Sequence, residues 1–195
     1  MKKIIVPILL GLTLTLTGCI VTSVYPFYSE SDVIFDPALI ERWADAEAKD
    51  NSGSIYEFKK NGEREYRLTI YEAGASTSSY EARLFKLKEQ LFLDLLPTER
   101  HGDFVPTHQL WKVIRLQPTL QVADLKLEWL VGLLEKEPNA IRHVKIKETT
   151  EDNKIVYRVV LTASTQELQQ FVLKHLKTEE AWRKPTELKR KLASN

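Results

Sequence analysis

The stretch SIYEFKKNGEREYRLTIY, residues 54–71, decides the fold. Its apolar residues recur at every second position. Tyr56 and Phe58 share a face before Asn61-Gly62, and Tyr66, Leu68 and Ile70 share one after it, alternating with Arg67, Thr69 and Tyr71. A period of two is that of a strand, whereas an amphipathic helix would repeat at three and four residues. Asn-Gly between two such runs is a strong hairpin signal, because the turn it favours needs positive φ and Gly adopts this without a steric penalty. The stretch therefore predicts two antiparallel strands with one apolar face.

The same pattern continues towards the C-terminus. A small polar loop at Gly74 to Ser79 is followed by Tyr80 to Leu87, a tight turn at Lys88-Glu89 and a strand over Gln90 to Leu95. Pro97 to Pro106 reads as an irregular connection, and Gln109 to Leu116 and Thr119 to Asp124 as strands on either side of Gln117-Pro118. Leu127, Leu130, Val131 and Leu134 have helical spacing that stops at Pro138-Asn139. Val144 to Glu148 and Ile155 to Leu161 form another pair, joined by Glu151 to Lys154. Ser164-Thr165-Gln166-Glu167 is a capping box, opening a helix whose buried side is Leu168, Phe171, Val172 and His175 or Leu176. Thr178 to Asn195 is charged and reads as a fraying tail with a short helix on either side of Pro185.

Towards the N-terminus, Asp36-Pro37 suits a helix opening, with Asp as the cap and Pro in the first turn. Ala38 to Lys49 fits a helix, yet Trp43 onward fits a first strand as well. The predicted class is mainly β (α+β). It is an antiparallel meander of about eight strands, open or closed into a lipocalin-like barrel, with a mid-chain and a C-terminal helix. Most connections are too short for parallel crossovers.

Composition narrows the chemistry. The 195 residues carry 28 Lys+Arg against 27 Asp+Glu, a formal charge of +1 that offers no electrostatic footprint for nucleic acid. One cysteine excludes an internal disulfide framework and a thiolate zinc cluster. Its position explains it. Lys2 and Lys3 precede an apolar run from Ile4 to Leu16, which at 13 residues is shorter than the roughly 20 needed to cross a bilayer. The run ends in Leu16-Thr17-Gly18-Cys19, an aliphatic residue, a small residue, Gly and Cys in the order of a bacterial lipobox.

The chain thus resembles the bacterial lipoproteins. The resemblance implies cleavage between Gly18 and Cys19, a diacylglyceryl thioether on Cys19 and acylation of its new amino group. Two or more chains make a durable anchor at about 0.8 kcal/mol per buried methylene. Ile20 stands where Asp would mark retention at the inner membrane, so the resemblance implies an outer-membrane lipoprotein facing the periplasm in a two-membrane organism. The opening VYPFYSESDVIFDPALIERW, with the later LFKLKEQLFLDLLP and LTASTQELQQFV, is similar to a group of uncharacterised bacterial lipoproteins. Glu41 replaces the Gly that lipocalins place two residues before the tryptophan. The expected organisation is a signal peptide over 1–18, an anchor and docking segment over 19–36, a β-rich domain over 37–177 and the charged tail over 178–195.

Candidate sites are few. His101, His108, His143 and His175 fall in no metal-binding spacing, and Glu99, His101, Asp103 and His108 read as a solvated connector rather than a metal-dependent hydrolytic site. No Gly-x-Ser-x-Gly or phosphate loop is present, and Ser164 is accounted for by its cap. The chain is read as non-catalytic and free of cofactor or metal. Trp43, Tyr66, Tyr80 and Trp111 are the candidate ligand-binding residues, since a closed antiparallel barrel can enclose one small apolar molecule. Trp129 is a further aromatic on a half-buried segment. Expected partners are the membrane, through acylated Cys19, and a small apolar ligand or an envelope protein. The basic residues Arg183, Lys184, Lys189, Arg190 and Lys191 read as a solvated face.

Overall fold

A computed structural model describes residues 20–48, 53–72, 77–99, 105–149 and 155–191. The strands are β1 (Thr22–Ser23), β2 (Val33–Ile34), β3 (Arg42–Asp45), β4 (Ile55–Lys60), β5 (Tyr66–Tyr71) and β6 (Thr77–Leu87). They continue as β7 (Gln90–Pro97), β8 (His108–Arg115), β9 (Leu120–Asp124), β10 (His143–Thr149), β11 (Ile155–Leu161) and β12 (Thr186–Arg190). Helix α1 (Leu127–Lys136) lies between β9 and β10, and α2 (Thr165–Lys174) between β11 and β12.

The 54–71 stretch forms the predicted hairpin, with Tyr56 opposite Ile70 and Phe58 opposite Leu68. Its turn is wider than two residues. The Asn61 amide donates to the Glu65 carbonyl at 2.9 Å, and Gly62 supplies the positive φ of 120°. From there β3 to β9 run as an antiparallel meander, and β12 closes the ring by pairing with β9 on one side and β3 on the other. The result is a closed eight-stranded antiparallel barrel of the lipocalin-like, up-and-down kind.

β8 is a fork. Trp111 to Arg115 pair with β9 inside the barrel, whereas His108 and Gln109 pair with β1. β1 also lies parallel to β11, which carries β10 at its outer edge. β1, β11 and β10 therefore form a flap that leaves the barrel at this fork.

Two cores result. Inside the barrel, Trp43, Phe58, Tyr66, Leu68, Leu84, Leu93, Leu95, Leu120 and Leu188 pack together. Outside it, Phe85, Phe92 and Leu110 form a second layer with Leu130 of α1, Leu168 and Phe171 of α2 and Trp182. β7 serves both, with Leu93 and Leu95 pointing inward and Phe92 outward, so its apolar run is longer than a half-buried strand requires.

The helices keep to the sequence pattern. The Ser164 hydroxyl accepts from the Glu167 amide, and the Glu167 carboxylate accepts from the Ser164 amide, completing the capping box. Asp36 caps a single 3-10 turn, Pro37–Leu39, after which Trp43 enters β3.

The 19–36 docking segment lies, over its described residues, against the domain, with Val21 and Phe27 buried in the outer core. Two boundaries are corrected. β6 starts at Thr77, inside the stretch expected to be a loop, and residues 73–76 fall outside the described residues. Of the charged 178–195 segment, the described residues 178–191 form no fraying tail: a 3-10 turn, Glu179–Ala181, precedes Pro185, but β12 rather than a helix follows it. The strand holds because Leu188, fully buried, fills the barrel while its charged neighbours stay outside.

Candidate functional site

Trp43 and Tyr66 are structural. Both are fully buried in the inner core, and the Trp43 indole donates to the Leu39 carbonyl at 3.2 Å. The Tyr66 hydroxyl accepts from the Asp36 amide at 2.7 Å and donates to the Asp36 carbonyl at 3.1 Å. Phe35 stacks on the Tyr66 ring with centroids 4.9 Å apart. Residues 34–40 thus plug the barrel end beside the 61–65 turn. Burial pushes the Tyr66 phenol up to about 12, because the ionised form would lose its hydration inside the plug.

Tyr80 and Trp111 are half-buried at the other end, where Tyr56 joins them. The Tyr56 and Trp111 rings meet edge to face at 6.1 Å. Burial raises the pKa of both Tyr56 and Tyr80, and nearby Glu72 adds to each. A hollow of about 250 Å³ opens beside this pair, with Val122 and Leu188 as its apolar floor and Ile20, Asp124 and Arg183 at its rim. It lies at the fork, where β9 and β1 share β8. Arg183 stands 3.3 Å from Asp124, but burial still raises the Asp124 carboxyl above its ordinary value. The four predicted aromatics therefore divide into two that fill the barrel and two at its mouth; Tyr56, assigned only to the hairpin, is the mouth residue that sequence reasoning missed. Trp129 lies outside, on α1, against Phe171.

A wider cleft of about 560 Å³ runs along the outer wall between β8 and the 176–185 segment. Lys112 crosses it, donating to the Leu176 carbonyl at 3.0 Å with its ammonium 4.9 Å from the Trp182 ring centre. Burial lowers the Lys112 pKa. The cation is already held by the chain.

The histidines separate. His108 opens β8 and its Nδ1 lies 2.6 Å from Asp94 Oδ1, while Asp94 Oδ2 accepts from the Phe27 amide at 2.9 Å. Asp94, 2% exposed, thereby fastens the N-terminal segment to the barrel wall, a partner that its place in an apolar run does not reveal. His175 caps α2 between the rings of Trp129 and Phe171, at 4.9 and 4.8 Å, and burial lowers its pKa. His143 begins β10, and its Nδ1 is 3.0 Å from the Ile141 carbonyl. His101 and Asp103 of the proposed connector, like Gly18 and Cys19, lie outside the described residues. Among the described residues, no three His, Cys, Asp or Glu side chains gather as a metal site.

Arg183 and Lys184 are paired with Asp124 and Glu47, and Arg190 lies 3.7 Å from Glu41. No described helix is long and apolar enough to cross a membrane. The chain matches no family model, and neither the curated proteins nor the solved structures give a significant match.

Proposed function

We propose that this chain is a lipid-anchored envelope protein that presents a non-catalytic β-barrel as a binding or interaction domain at the periplasmic face of the outer membrane. The observation that carries this reading is the lipobox Leu16-Thr17-Gly18-Cys19. A barrel filled by Trp43, Tyr66 and Phe58 supports a scaffold whose outer surface does the binding, because an eight-stranded barrel has room for either side chains or one small ligand.

The test is metabolic labelling with fatty acid and mass spectrometry of the mature N-terminal peptide. The wild-type chain is expected to carry acyl groups on Cys19, and Cys19→Ser to keep its signal peptide and take up no label. A wild-type N-terminal peptide without fatty acid refutes the reading.

The hollow at the mouth favours a second reading, a lipocalin-like carrier that takes only part of an apolar ligand between Trp111, Tyr56 and Val122. Lipid that co-purifies with the wild-type chain and is lost from Trp111→Ala would support it. Clean extracts from both would remove it.

A further inference from the structure

The fold leaves no tether between the anchor and the domain. Val21 is 3% exposed in the outer core, and Thr22 already pairs with Gln109 and Val160. Only Ile20 separates these fixed residues from Cys19, and one peptide step spans about 3.8 Å. A domain held this closely cannot turn freely beneath its anchor. The surface around Ile20 must then face the lipid.

That surface is the outer face of the flap. Thr22 lies opposite Val160, Val160 opposite Val144, and Ile146 opposite Arg158, so Thr22, Val144, Ile146, Arg158 and Val160 stand on one side of the sheet. Alternation adds Ile20 to the same side. The other side carries Val159 and Leu161, fully buried in the outer core. A solvated face on such a sheet is normally polar. Here Ile20, Val144 and Ile146 are 38%, 50% and 39% exposed. Arg158, exposed on this same side opposite Ile146, sets a cation among the apolar side chains, as suits a leaflet with anionic headgroups, whereas Lys145 and Lys147 alternate to the other side. Trp111 and Tyr56 sit in the adjoining hollow, and Trp and Tyr favour the level of the headgroups.

We propose that the flap face formed by Ile20, Val144, Ile146 and Val160, together with the barrel mouth beside it, rests in the headgroup region of the membrane that holds the anchor. The proposal rests on the reading of Cys19 as the acylated residue. It turns the mouth towards the lipid and the plugged end, with the 61–65 turn, away from it.

The full chain, purified with its acyl groups and reconstituted in phosphatidylethanolamine–phosphatidylglycerol vesicles, provides the test. Acylation blocks the native thiol, so Val144→Cys, Ile146→Cys and Glu63→Cys each offer one site for an environment-sensitive fluorophore. Interfacial side chains reach about 5–10 Å into the headgroup and acyl boundary, so brominated lipids are expected to reduce emission about twofold at 144 and 146. Position 63 lies on the turn roughly 20 Å further along β4 and is expected to keep its emission. Equal emission at all three positions, or quenching at 63 as strong as at 144, overturns the orientation while fatty acid on the N-terminal peptide leaves the anchor standing. An N-terminal peptide without fatty acid overturns the anchor, and the orientation with it.

Discussion

At the scale of single residues, the aromatic side chains show how one residue type takes opposite roles. Trp43 is closed in by the inner core, so Trp43→Ala removes a large buried side chain and is expected to cost about 3–5 kcal/mol, read from the shift of the urea midpoint. Trp111 makes one of its main contacts at the edge of a hollow, and replacing it should cost less. Tyr66→Phe removes both hydrogen bonds to Asp36, and the expected loss is about 1–3 kcal/mol because the Asp36 amide stays in the plug without its acceptor. The pH dependence has a definite sign. The phenol pKa is raised to about 12 in the fold, so its contribution is complete below pH 10 and disappears as pH rises through 12. Urea midpoints measured from pH 9 to 12 should fall less steeply for Tyr66→Phe than for wild type, with Tyr56 and Tyr80 supplying the residual slope.

At the scale of elements, legibility follows how strongly each segment's burial shapes its own sequence. The 54–71 hairpin and α2 were readable because period, turn and cap all agree within about twenty residues. Ser164→Ala should therefore behave as a simple cap deletion, costing about 1 kcal/mol in thermal or urea unfolding. The Glu167 carboxyl, lowered to about 2 first by its bonds with Ser164 and then by Arg142, gives that cap an acid limit: its benefit is present above the ordinary carboxylate range and is lost as pH falls towards 2. β1 and β12 were unreadable for a different reason. β1 is two residues long and pairs with strands far away in sequence, and β12 buries a single leucine among Thr186, Glu187, Lys189 and Arg190. Strand propensity is weak in such a context, and tertiary pairing decides. Leu188→Asp places a charge in the inner core and is expected to abolish the cooperative unfolding transition; Lys189→Glu on the outer side of the same strand should leave it nearly unchanged. Denaturation followed by tryptophan emission distinguishes the two.

At the scale of the molecule, the sequence made the meander legible but not its closure, because closure depends on pairs between segments at opposite ends of the chain. The candidate site was legible only as a set of aromatics; which of them fill the barrel and which reach its mouth depends on how the ring is plugged by residues 34–40, a contact no local pattern encodes. The proposed acylation of Cys19 needs no such contact, since it is argued from four consecutive residues alone. The closure has a consequence for biogenesis. β3 needs β12 as its second neighbour, and β12 is the last of the described strands in chain order. Until residues 186–190 emerge, β3 and β9 are both raw edges able to pair with other chains, and a ring joined over so long a separation forms slowly. A chain still being made thus has no finished barrel, and the same delay leaves its open edges dependent on protection from aggregation until residues 186–190 arrive.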